Sequence, residues 1–128
     1  MKKKVPREEE GRAPTVYISG PSTGYKDCNV KAFAAAEAYL LHLGFEVMNP
    51  LTPEDTPFPE DGKVDDAKWL GYIIRDIRLI AHCDCVYFLP GSEHSFGSQI
   101  ERMVAVRFRK VQMEHTNWTY AGDKDEEE

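Results

Sequence analysis

The chain has 128 residues, 41% of them hydrophobic and 30% charged, with three cysteines and a formal net charge of −6. That length and composition fit one soluble globular domain, able to build a core without disulfides or a structural metal. A membrane span is excluded because no run of about twenty apolar residues occurs, and the negative charge speaks against a protein that grips a nucleic-acid polymer.

Residues 1–13 are charged, carry Pro6 and Gly11, and read as a flexible lead-in. Met1-Lys2-Lys3-Lys4 is followed by Glu8-Glu9-Glu10 instead of an apolar stretch, so no secretory signal and a cytoplasmic location are expected. Thr15-Val16-Tyr17-Ile18-Ser19 predicts the first strand, broken by Gly20-Pro21-Ser22-Thr23-Gly24. Asn29 predicts the N-cap of a helix running to about Leu43, with Phe33, Ala36, Leu40 and Leu43 at helical spacing and Gly44 just past its end. Phe45–Met48 predicts a short second strand. Asn49 to Gly62 holds four prolines and predicts a long loop, a length often given to binding loops. A helix follows from about Asp65 to Ala81, with Trp69, Tyr72, Ile73, Ile77 and Ile80 on one side. Cys85-Val86-Tyr87-Phe88-Leu89 predicts the third strand, apolar throughout as in a central parallel strand. Gly97 to about Arg109 predicts the third helix, Val111-Gln112-Met113 a short last strand, and 115–128 an acidic tail. Cys28, Cys83 and Cys85 lack the further ligands that zinc needs, so reduced thiols and no metal are expected.

The order βαβαβα(β) predicts an α/β fold over residues 14–114: a three-layer, Rossmann-like (flavodoxin-like) sandwich around a small parallel sheet of 4–5 strands. Strand order 2-1-3-4 places the topological switch between the first and third strands, so that Gly20–Gly24 and Pro90–Gly97 face each other. Glu101 falls about one turn into the third helix, beside a loop and a helix N-terminus suited to an anion. Such a place combines an anion cradle with a nucleophile or base. Singly, the residues have plainer readings. Glu101 reads as a dipole or capping residue, Asp76 as an exposed partner of Arg75 or Arg78, and Tyr17 as core. Ser95 reads as an N-cap, Gly20-Pro21 as a turn, and Arg102, Arg107, Arg109 and Lys110 as a solvated face.

Taken together, three motifs stand in order: Val16-Tyr17-Ile18-Ser19-Gly20-Pro21; Arg75-Asp76-Ile77 with Cys83-Asp84 eight residues on; and Ser95-x-Gly97-x-x-x-Glu101. With Trp69 and Tyr72 ahead of Asp76, they give the chain a resemblance to the nucleoside 2-deoxyribosyltransferase superfamily over roughly residues 15–113. It is most similar to a short branch found in phages and bacteria, and to the 2′-deoxynucleoside 5′-monophosphate N-hydrolases. The resemblance implies an N-glycosidase acting on deoxynucleoside 5′-monophosphates or deoxynucleosides, without a cofactor. It implies Glu101 as nucleophile, Tyr17 orienting it, and Asp76 contacting the sugar or assisting the leaving base. Ser95 and Gly97 would bind the 5′-phosphate, with Gly20, Pro21, Ser22, Thr23 and Gly24 closing over the ligand. A homodimer is also implied, for which Phe108, Trp118 and Tyr120 are contact candidates.

An oxocarbenium-like transition state wants a carboxylate beneath the anomeric carbon and an acid near the leaving group. The expectation is an ionised Glu101, held so by the helix dipole, and an Asp76 whose pKa is raised by that neighbouring charge. Thr116 to Glu128 contains no match to the C-terminal residues with which full-length deoxyribosyltransferases complete their pocket, so hydrolysis is expected over base exchange. The other readings are a base-exchanging deoxyribosyltransferase and a non-catalytic nucleotide-binding or sensing module on the same fold. Pro90-Gly91 to Glu101 is also similar to the PGGxGTxxE signature of cytokinin-type phosphoribohydrolases, from which the second glycine and the Gly-Thr pair are absent.

Overall fold

The computed structural model describes residues 11–22, 25–51 and 65–115. Its centre is one all-parallel sheet in the order β2-β1-β3-β4, built from β1 (Thr15–Ser19), β2 (Glu46–Met48), β3 (Cys85–Phe88) and β4 (Val111–Glu114). Helices α1 (Val30–His42), α2 (Asp66–Ala81) and α3 (Phe96–Arg107) connect successive strands. β1 lies between β2 and β3, with Tyr17 opposite Met48 on one side and Val86 on the other. The architecture is the expected Rossmann-like three-layer sandwich, with four strands among the described residues.

Strand periodicity sorts the core into two halves, because alternate side chains point to opposite faces. Val16 and Ile18 of β1, with Cys85 and Tyr87 of β3, pack against Ala32, Phe33, Ala36 and Leu40 of α1. Tyr17, Val86 and Phe88 face the other way and pack with Ile80 of α2 and Ala105 of α3. The reversal of direction after β2 sends α2 and α3 to the face opposite α1, as right-handed crossovers require. The switch point between β1 and β3 therefore opens at their carboxyl ends, under α2 and α3.

The helix ends follow local chemistry, with one correction. α1 closes in a Schellman motif: Gly44 adopts φ 98° and donates to the Leu41 carbonyl, and Phe45 donates to that of Leu40. α3 closes the same way, with Arg109 at φ 58° in the glycine position. Asp65 caps α2 by accepting from the Lys68 N–H at 2.8 Å. Asn29 does not cap α1 with its side chain. It sits at φ 68°, the last of three consecutive left-handed residues after Asp27 and Cys28, and its Nδ2 donates to the Pro21 carbonyl at 2.8 Å. A buried carbonyl of the β1 exit loop requires a donor, and asparagine tolerates the left-handed region.

Two other expectations are corrected, and one motif residue finds its place. Leu43, placed on the apolar face of α1, is exposed at the helix end. Arg102 is no solvated bystander: its guanidinium lies 3.8 Å from the centre of the Phe88 ring and bonds to Glu114 at 2.8 Å, tying α3 to β4. Asp84 belongs to the opposite end of the sheet from Ser19. Its carboxylate accepts from the Thr15 N–H at 2.9 Å, and its own N–H donates to the Thr15 carbonyl. No helix among the described residues is long and apolar enough to cross a membrane. Most of the lead-in, most of the proline-rich loop and the acidic tail beyond His115, including Trp118 and Tyr120, lie outside the described residues.

Candidate functional site

Two carboxyl groups occupy positions that helical spacing reserves for apolar side chains. On α2 the buried residues are Ile73, Asp76 and Ile80; on α3 they are Ser98, Glu101 and Ala105. Both stripes face the sheet where β1 presents Tyr17 and, two residues on, Ser19. The Tyr17 hydroxyl donates to Glu101 Oε2 at 2.9 Å, and the Ser19 hydroxyl donates to Glu101 Oε1 at 2.7 Å. Asp76 completes the cluster, close enough for its charge to act on both Glu101 and Tyr17. On its outer side, Arg75 donates Nε and Nη2 to Asp76 Oδ1 at 3.0 and 2.9 Å, and Nη2 also reaches the Pro50 carbonyl at 3.0 Å. The Arg75 guanidinium lies 5.5 Å from the centre of the Tyr72 ring.

Burial governs the protonation of this cluster. Glu101 is pushed up to about 8, first by loss of hydration and then by the charge of Asp76, against the pull of the Ser19 and Tyr17 hydroxyls. Asp76 is also raised by burial, while the Arg75 guanidinium opposes the rise. Tyr17 is driven well above the ordinary tyrosine value, chiefly by burial and then by Glu101 and Asp76, so it remains a donor. Both carboxyls thus hold a proton more tightly than free carboxyls do, and each titrates under the influence of the other. This corrects the expectation that the helix dipole keeps Glu101 ionised. Glu101 is the sixth residue of α3, beyond the first turn where the dipole acts, and desolvation outweighs it.

The structure brings Tyr17, Asp76 and Glu101 together, and the two loops expected to face each other meet. A β-carbon at Gly91 would sit 2.8 Å from the Tyr25 hydroxyl and 3.2 Å from Pro21, so the turn after β3 lies against the turn after β1. Gly20 has a steric duty: a β-carbon there would come within 2.7 Å of the Leu89 side chain. Pro21 is buried and Ser22 half-buried beside it, while Thr23 and Gly24 lie outside the described residues. Ser95 caps α3, its hydroxyl oxygen accepting from the Ser98 N–H at 3.3 Å, and its own hydrogen finds no acceptor among the described residues. Gly97 lets α3 approach α2, since a β-carbon would lie 3.3 Å from Ile73 Cδ1. Gly97 precedes Glu101 by about 6 Å of helix rise. Among the described residues, no group of three His, Cys, Asp or Glu comes together as a metal-ligand set.

Two members of the cluster were missed as site residues from the sequence. Ser19 shares a strand face with Tyr17, and that two-residue spacing was the available signal. Arg75 was named within a motif and as a surface partner for Asp76, without a role in the site; its contact with the Pro50 carbonyl has no signature in the sequence.

Residues 14–113 match the family described as Domain of unknown function (DUF4406). No curated protein matches the chain.

Proposed function

The chain belongs to the DUF4406 family, and we propose that it is an N-glycosidase that hydrolyses the bond between base and sugar in deoxynucleoside 5′-monophosphates or deoxynucleosides. The observation that carries the proposal is the buried Asp76–Glu101 pair at the switch point, with Tyr17 and Ser19 each holding one oxygen of Glu101. A carboxyl pair holding one proton has the two forms of a group that glycoside cleavage needs.

In the proposed reaction the shared proton passes to Asp76, leaving Glu101 as the carboxylate. A Glu101 oxygen bonds to C1′ while the C1′–N bond breaks, and Asp76 gives its proton to the departing nitrogen. Positive charge developing on the sugar favours the ionised Glu101 in the transition state, and the Tyr17 and Ser19 hydroxyls hold its orientation. Water then adds at C1′, releases the Glu101 oxygen and returns a proton to the pair. The phosphate group would take the Ser95 hydroxyl and the first backbone N–H groups of α3. The family resemblance extends the proposal to a homodimer working in the cytoplasm.

The alternative is a nucleotide-binding module without turnover. The near-complete burial of Glu101, 5% exposed with both oxygens bonded, favours it, because such a carboxyl can also lock α3 to β1. Purified protein incubated with deoxynucleoside 5′-monophosphates and deoxynucleosides should release base, detected by chromatography, and Glu101→Ala should not. A nucleotide-dependent rise in Tm with no base released would support the module instead.

A further inference from the structure

Arg75 makes three hydrogen bonds with two purposes. Nε and Nη2 both terminate on Oδ1 of Asp76, filling the lone pairs of that oxygen. Nη2 also holds the Pro50 carbonyl. That carbonyl belongs to a segment fixed from the opposite layer: Asn49 Nδ2 donates to Glu37 of α1 at 2.9 Å, and Asn49 Oδ1 accepts from the Leu51 N–H at 2.9 Å. One guanidinium thus joins the inner carboxyl pair to the chain leaving β2.

We propose that Arg75 is a positioning residue: it grips Oδ1 of Asp76 with two hydrogen bonds, sets a positive charge beside the carboxyl pair, and locks this arrangement to the β2 exit through Pro50. The catalytic part rests on the glycosidase reading; the positioning of Asp76 does not. Among the described residues, the charged and titratable groups facing Asp76 are Arg75 on its own helix, Tyr17 from β1 and Glu101 from α3. Arg75 is the only cation among them. Its removal takes away the charge that opposes the rise of Asp76, so the Asp76 titration moves further up.

Arg75 is 38% exposed, so its surroundings have room for a changed side chain. The experiment compares wild type, Arg75→Gln and Arg75→Lys, with Tm at pH 7 to verify folding. The carboxyl carbons of Asp76 and Glu101 are followed by NMR against pH in ligand-free protein, and base release is measured in parallel. In Arg75→Gln the titration of Asp76 should move upward by about 1 to 3 pH units. Arg75→Lys, which keeps the charge but not the paired contacts, should move it less. If base is released, the acidic limb of kcat/KM should follow the Asp76 titration in all three proteins, with KM nearly unchanged. Should the Asp76 titration stay within about 0.3 pH units of wild type in both variants, the positioning role is wrong. A uniform fall in activity with an unmoved acidic limb would also overturn it, marking Arg75 as purely structural. Should no protein release base while the titration moves as stated, the glycosidase reading fails and the positioning of Asp76 stands.

Discussion

Replacing Glu101 by glutamine should flatten the dependence of folding stability on pH and make the protein more stable than wild type in alkaline solution. In the folded chain Glu101 is raised from 4.5 to about 8. A raised acid holds its proton more tightly when folded than when unfolded. Its favourable contribution is therefore complete below about pH 4.5, declines as pH rises, and is gone above about pH 8. The difference of 3.5 pH units (8 − 4.5) corresponds to about 5 kcal/mol, at about 1.4 kcal/mol per unit. Glutamine is neutral throughout and nearly isosteric, and the rotatable Tyr17 and Ser19 hydroxyls can bond to its oxygen and its amide. Against a total stability of about 5–15 kcal/mol, such a difference separates the two proteins clearly. Urea unfolding of both proteins at pH 5, 6, 7, 8 and 9, followed by tryptophan fluorescence, measures it. The curves should nearly meet at pH 5 and diverge toward pH 9, with the variant above. Parallel curves, or a variant less stable than wild type at pH 9, would refute the reasoning: Glu101 would then be ionised and solvated, and no buried proton-sharing pair would exist.

The remaining expectations concern the parts around that pair. Tyr17→Phe and Ser19→Ala each remove a hydrogen bond that lowers the Glu101 pKa, so the Glu101 titration should move above about 8 in both, read by carboxyl NMR. Gly20→Ala should destabilise the fold by about 1–3 kcal/mol, because its β-carbon would press into Leu89 at 2.7 Å; calorimetry at neutral pH measures it. Arg109→Gly should stabilise by about 0.5–1 kcal/mol, since glycine accepts the φ of 58° that closes α3; an unchanged or lower Tm would contradict that account.

Much of the fold is legible in the sequence because its determinants are local and periodic. The β-branched and aromatic run at Thr15–Ser19, the apolar run at Cys85–Leu89 and the helical spacing between them suffice for strands, helices and their parallel order. Gly44 announces the end of α1 for the same reason, as a position that needs positive φ. Asn29 shows the limit. As a residue type it fits an N-cap, yet a carbonyl eight residues earlier claims its side chain.

The sequence by itself determined the β-α alternation, the switch point between β1 and β3, and the presence of Tyr17, Asp76 and Glu101 on elements that converge there. Only the tertiary structure decided what those residues become. Tyr17 and Glu101 are 84 residues apart, and Ser19 and Glu101 are 82 apart, so no local pattern couples them. Whether Glu101 is charged depends on how much water the assembled layers remove and on which partner lies across the gap. Desolvation and neighbouring charge exist only once α2 and α3 have closed over the sheet, and there they outweigh the helix dipole visible from sequence.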